Sequence, residues 1–169
     1  LIEDCADAEA VEVPDPQNLA YTTQTTLSVD DTQAIVDILT RRFPAIRGPA
    51  KADICYATTN RQEAVKAMAP KVDALVVIGA ENSSNSNRLV EVATAAGCAN
   101  AFLLESVEAL DWGRLEGVAS LGITAGASAP ESLVEGLLDA LAARFTLRVQ
   151  AAGPGEEHVH FGIPKALAG

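Results

Sequence analysis

Three cysteines, two histidines and four short clusters of Ser, Thr and Asn are the residues of this chain whose types and spacing can do chemistry. The clusters are Gln24 to Ser28, Thr58 to Asn60, Asn82 to Ser86 and Thr124 to Ser128. Hydroxyls and carboxamides offer neutral hydrogen-bond donors. At a helix start, beside free backbone N–H groups and the positive end of the helix dipole, they suit a phosphate or diphosphate. The same residue types are also the usual caps and turn formers, so each cluster has a plain structural reading as well. Asn82-Ser83-Ser84-Asn85-Ser86-Asn87 stands apart, because six small polar residues in succession exceed what one cap needs. Arg61 and Arg88 are the only bases close to these clusters.

Cys55 falls between an expected strand end and a helix start. That setting suits a thiolate ligand or nucleophile, and equally a buried inert thiol. Cys98, next to Gly97 and before a strand, reads as packing. Cys5 lies among carboxylates, which disfavour a thiolate. No CxxC spacing is present, so the chain cannot complete a zinc or iron–sulfur site by itself. His158 and His160, two apart, would share one face of a strand but lack a third ligand. There is no Walker motif or Ser-His-Asp order, and Gly122 and Gly126 do not make a dinucleotide fingerprint.

The elements that must carry these residues follow a strand, polar turn, helix rhythm. A strand is expected over Leu19 to Thr23. A helix is expected from Val29 to Phe43, with Ser28 as cap, Asp31 three residues on, and Pro44 as its stop. Residues 44–52 hold two Pro and one Gly and mark an internal boundary. Asp53 to Tyr56 reads as a strand end, Thr58 to Asn60 as a turn, and Asn60 to Ala69 as a helix. Ala74 to Ile78 is an unbroken apolar run, as in a parallel strand buried on both faces. A helix to Ala96, a strand over Ala101 to Leu104, a short helix over Val107 to Leu115 and a buried strand over Val118 to Ile123 follow. The next helix is expected with Ser128 as cap, Pro130 in its first turn and an apolar face of Leu133, Val134, Leu137, Leu138 and Leu141. Phe145 to Gln150 and His158 to Phe161 alternate like two strands around a Gly-Pro-Gly turn. Alternating strands and helices imply an α/β fold with a parallel sheet. Ligands of such sheets bind beyond the carboxyl ends of the strands, where the polar turns fall.

The chain has 169 residues, 49% apolar and 21% charged, enough for a sizeable core. A net charge of −11 disfavours nucleic acid and anionic membrane surfaces as partners. No apolar run reaches the roughly 20 residues of a membrane-spanning helix, and nothing reads as a signal peptide. Three widely spaced cysteines do not form a disulfide framework, so a reducing cytoplasm is expected.

Four stretches resemble one family: Thr23-Gln24-Thr25-Thr26-Leu27-Ser28-Val29-Asp30-Asp31-Thr32, Ile54-Cys55-Tyr56-Ala57-Thr58-Thr59-Asn60-Arg61-Gln62, Asn82-Ser83-Ser84-Asn85-Ser86-Asn87-Arg88-Leu89 and Thr124-Ala125-Gly126-Ala127-Ser128-Ala129-Pro130. Their order and spacing are similar to those of the LytB/IspH family of 4-hydroxy-3-methylbut-2-enyl diphosphate reductases, over most of residues 19–144. The resemblance implies reductive removal of the allylic hydroxyl of a branched C5 diphosphate. The products would be isopentenyl and dimethylallyl diphosphates, at the last step of the non-mevalonate isoprenoid pathway. It implies a [4Fe-4S] cluster held by three cysteines, electrons from a ferredoxin or flavodoxin, and three α/β lobes around the cluster. Carried over by position, Cys55 matches a cluster cysteine. Ser83, Ser84, Asn85 and Ser128 match diphosphate ligands, and Thr25 matches a threonine beside the substrate hydroxyl, able to help deliver a proton.

The family's first lobe, its other two cluster cysteines, its substrate-binding histidines and its proton-donating glutamate have no match here, and Cys5, Cys98, His158 and His160 sit outside its motifs. The expectation is therefore a carboxyl-terminal fragment, inactive alone, with the amino-terminal lobe missing. In that division residues 1–50 are the end of the middle lobe, 51–144 a complete last lobe and 145–169 a tail. Unpaired strand edges in residues 1–50 would make the piece aggregate or dimerise. The alternative is a stand-alone α/β domain that binds a phosphorylated small molecule, with Cys55 incidental.

Overall fold

A computed structural model of the chain describes residues 1–49 and 53–151. Ala74–Ile78 (β1), Ala101–Leu104 (β2) and Leu121–Ala125 (β3) form a parallel sheet in the order β2-β1-β3. The register pairs Val76 with Phe102 on one side and with Ile123 on the other. All five residues of β1 are buried, as its continuous apolar run requires of a central strand. Its side chains alternate between two cores. Leu75 and Val77 pack with Val65, Ala69, Leu89, Val92 and Cys98, mainly from helices Tyr56–Met68 (α3) and Ser84–Ala95 (α4). Val76 and Ile78 pack with Phe102, Leu104, Leu110, Leu115, Leu137 and Leu141, the last two from helix Glu131–Ala142 (α5).

A separate apolar cluster joins helices Cys5–Ala10 (α1) and Val29–Arg42 (α2) through Ala8, Leu39 and Phe43. Arg42 donates to the carbonyls of Ala8 and Val11, so a cation closes the end of α1. The start of α2 is as its sequence implies. The Ser28 hydroxyl accepts from the Asp31 N–H at 3.2 Å, Asp30 and Asp31 fill the first turn, and the helix stops before Pro44.

Several elements depart from expectation. Leu19 to Thr23 is not a strand; a single parallel bridge, Ala20 to Arg47, holds it, with Tyr21 N–H donating to the Arg47 carbonyl at 3.0 Å. Asp53 to Tyr56 is not a strand end, and Thr58 to Asn60 is not a turn. The Cys55 carbonyl accepts from the N–H groups of both Thr58 and Thr59, which starts α3 at Tyr56, a turn earlier than its polar opening suggests. Val107 to Leu115 splits into two 3-10 turns, Val107–Ala109 and Trp112–Leu115. β3 begins at Leu121 rather than Val118, because the Asp73 carboxylate takes the N–H groups of Ala119 and Ser120 and sets the register from there. Pro130, not Ser128, occupies the cap of α5, and no side chain caps it. Phe145 to Gln150 forms no strand; His158 to Phe161 lies outside the described residues.

Candidate functional site

β1 and β3 end side by side, and their last residues, Ile78 and Ala125, are register partners. Each chain then passes through a glycine. Gly126 N–H donates to the Ile78 carbonyl at 2.8 Å, and Gly79 N–H donates to the Leu104 carbonyl at 3.0 Å. Ser86, 1% exposed, sits between the two glycines. A Cβ on Gly79 would lie 2.2 Å from the Ser86 hydroxyl oxygen and 2.7 Å from its Cβ; one on Gly126 would lie 2.3 Å from the same oxygen. The strand ends can therefore approach α4 this closely only without side chains.

Ser83 caps α4. Its hydroxyl oxygen accepts from the Ser86 N–H at 3.3 Å and lies 3.0 Å from the Ser86 hydroxyl. The first turn of this 12-residue helix thus carries Ser86, whose side chain lies against the glycines that follow β1 and β3. Asn85 follows in the same turn. It is 8% exposed, yet among the described residues neither its Nδ2 nor its Oδ1 has a hydrogen-bond partner. Ser84 is exposed and Ser83 half-buried. Asn87 is used internally, donating to the carbonyls of Glu81 and Ser83 at 2.7 and 3.1 Å. An unpartnered buried carboxamide is expensive, because burial removes its water without replacing it. It fits a site whose missing partner is a ligand with acceptor oxygens.

Thr25 and Cys55 come together from the other side. The Cys55 N–H donates to the Thr25 carbonyl at 3.2 Å, and the Thr23 N–H donates to Asp53 at 2.7 Å. Both Thr25 and Cys55 are exposed, and Cys55 is the cap residue of α3 with no side-chain capping bond. Its Sγ is thus free for other chemistry at a helix N-terminus. Gln62, two turns along α3, grips the same turn. Arg61 reaches the third piece, its Nε donating to the Ala125 carbonyl and its Nη1 to that of Ala57, both at 3.1 Å. It therefore joins the start of α3 to the turn that carries Ser128, itself exposed. Arg88 pairs with Glu91 at 2.5 Å and Asp31 at 3.9 Å.

The other cysteines are placed as expected for residues without chemistry. Cys98 is buried in the core, and burial pushes its thiol above its ordinary value. Cys5 is exposed on α1. No group of three or more His, Cys, Asp or Glu among the described residues is placed to hold a metal ion. His158 and His160 lie outside those residues. Two cavities, of about 890 and 410 Å³, lie elsewhere, and neither is lined by Thr25, Cys55, Ser83, Ser84, Asn85 or Ser128. Among the described residues, no helix is long and apolar enough to cross a membrane.

Residue patterns did not single out Gly79, Ser86, Gln62 or Arg61 for the parts they play. Ser86 and Arg61 lay inside or beside clusters already noted. The positions of Gly79 and Gln62 depend on contacts distant in sequence, which no local spacing displays.

A family model described as LytB protein matches residues 1–142. The 4-hydroxy-3-methylbut-2-enyl diphosphate reductase of Ruegeria pomeroyi is 57% identical over 167 residues, 99% of this chain and 53% of that protein. The protein of the same name from Phenylobacterium zucineum is 59% identical over 169 residues, 100% of this chain and 54% of that protein. Among solved structures, the E-1-hydroxy-2-methyl-but-2-enyl-4-diphosphate reductase of Plasmodium falciparum superposes with a TM-score of 0.86 at 35% identity, covering 98% of this chain and 52% of that one. The chain spans about half the length of the curated relatives it matches.

Proposed function

The chain belongs to the LytB protein family, and we propose that it forms the diphosphate-binding part of a 4-hydroxy-3-methylbut-2-enyl diphosphate reductase. In the proposed reaction two electrons and two protons replace the allylic C–O bond by C–H and release water, giving isopentenyl and dimethylallyl diphosphates. The observation that carries the reading is Asn85, buried and without a partner among the described residues, in the first turn of α4 next to Ser86, which lies against the glycines that follow β1 and β3. A diphosphate there would accept from the Asn85 amide, the hydroxyls of Ser83, Ser84 and Ser128, and the helix N-terminus. Within this chain its charge would be met by side-chain and helix dipoles, since Arg61 and Arg88 are both engaged in bonds of their own. Thr25, tied through its own carbonyl to Cys55, would present its hydroxyl to the substrate oxygen and help deliver the proton that leaves as water.

Cys55 is the residue here that would hold a [4Fe-4S] cluster, its Sγ being exposed and uncapped. When bound, such a cluster would supply the electrons that reduce the allylic carbon–oxygen bond. One thiolate is one ligand, so the other ligands are assigned to sequence outside the described residues. A ferredoxin or flavodoxin is the proposed electron donor and the cytoplasm the proposed location. The proposed division is 1–50, 51–144 and 145–169. In its support, residues of the first segment share their own apolar cluster and those of the second share the sheet.

The test is Cys55→Ser in a chain of the relatives' length that carries this sequence. Iron, sulfide and turnover with reduced viologen would be measured together. Loss of cluster and turnover, with diphosphate affinity kept, is expected. An unchanged cluster content would remove Cys55 from the site and favour a binding domain for phosphorylated small molecules.

A further inference from the structure

Gln62 is fully buried, and both ends of its carboxamide are used on another part of the chain. Nε2 donates to the Leu27 carbonyl at 2.8 Å, and Oε1 accepts from the Val29 N–H at 3.0 Å. These two groups flank Ser28, the cap of α2. A long polar side chain without exposure is costly unless satisfied, and here its bonds add nothing to its own helix. Among side chains of this length only a neutral carboxamide both donates and accepts in this way: Glu cannot donate once ionised, Lys cannot accept and Met does neither. Gln62 follows Cys55 by seven residues, two turns, so both lie on one face of α3, about 10 Å apart along its axis. The turn from Thr23 to Val29 runs beside that face, held by Asp53 and Cys55 at one end and Gln62 at the other.

We propose that Gln62 is a positioning residue that fixes the Thr25 turn against the Cys55 end of α3. Its catalytic consequence rests on the reductase reading; its structural part does not. If Gln62 is removed, the turn keeps its contact at Asp53 but loses the anchor at its other end, and that loosens the bond from the Cys55 N–H to the Thr25 carbonyl. The Thr25 hydroxyl then strays from the geometry that proton delivery needs, while the diphosphate site on α4 is untouched.

Backbone hydrogen exchange on the 169-residue chain tests the structural part. Gln62→Met is expected to speed exchange at Cys55 and Val29 by about tenfold or more, with Val76 and Val77 in β1 unchanged. Gln62→Glu keeps the acceptor, so Val29 stays protected while Cys55 exchanges faster. Unchanged protection of Cys55 in both variants overturns the proposal. So does a loss spread equally over β1, or failure of both variants to fold, either of which makes Gln62 a core residue only. In a chain of the relatives' length, Gln62→Met is expected to lower kcat about tenfold and leave KM within about twofold. Added to Thr25→Val it should cost nothing more; a fully additive loss contradicts action through Thr25. A wild-type chain that binds its cluster but does not turn over would sink the reductase reading and leave the exchange result standing.

Discussion

At the scale of single residues, Asn85 carries opposite demands. Its carboxamide is buried without a partner, so in the free protein it destabilises; a bound diphosphate would supply the partner. Asn85→Leu keeps the volume and removes the unmet groups. It should therefore raise the unfolding free energy of the free chain by about 1 kcal/mol in urea denaturation. In the same protein, calorimetric titration should show pyrophosphate binding at least about tenfold weaker, the loss expected of a charge-assisted hydrogen bond. The two glycines differ in what they tolerate. A Cβ at Gly126 meets mainly the Ser86 hydroxyl, which can rotate away, whereas one at Gly79 also meets the Ser86 Cβ at 2.7 Å, which cannot. Gly79→Ala is thus expected to cost about 2–3 kcal/mol, and Gly126→Ala distinctly less. Equal losses in denaturation would mean that Ser86 is not the neighbour that matters.

At the scale of elements, the sheet owes its register to a polar clasp as well as to apolar packing. Asp73 accepts from the N–H groups of Ala119 and Ser120 and from the Ser120 hydroxyl, just before β1 and β3 begin to pair. The hydrogen bonds of Ser120, then that of Ala119, hold its carboxyl below the ordinary value of 3.8. A lowered carboxyl stabilises the fold above its unfolded pKa and loses that contribution as pH falls through the lower, folded value. Acid titration of stability should therefore show a fall below about pH 3.8 that Asp73→Asn diminishes. A profile identical in the two proteins would remove Asp73 from the clasp. The strands and helices that sequence made plain are those with local signals: the apolar run of β1, the Ser28 cap and the Pro44 stop of α2. The misread ones depend on distant partners. Nothing near Val118 shows that Asp73 will start β3 at Leu121, and Thr58 to Asn60 have the composition of a turn although Thr58 is buried in α3.

At the scale of the whole molecule, α3 joins the parts. Its cap is Cys55, Arg61 holds the turn after β3, Gln62 holds the turn before α2, and Lys66 pairs with Asp30 at 2.7 Å. The residue types of the candidate site stand out in the sequence, since Thr25, Cys55, Ser83 to Asn85 and Ser128 all lie in or beside stretches rich in polar groups. Their assembly was not, because it is set by Gly79, Ser86, Arg61 and Gln62, whose contacts span up to 64 residues of sequence. The family match covers residues 1–142, and the chain spans about half the length of the curated relatives it matches.

If the start of α4 receives the diphosphate of a C5 allylic alcohol, the Asn85 carboxamide is the group that must meet it. The most direct measurement is a titration of the chain with 4-hydroxy-3-methylbut-2-enyl diphosphate, following the side-chain amide resonances of Asn85 by nuclear magnetic resonance. These resonances are expected to move with saturation, together with the backbone amides of Ser84 to Ser86, and the free alcohol is expected to move none of them. Resonances of Asn85 that stay in place while the diphosphate binds elsewhere would contradict it.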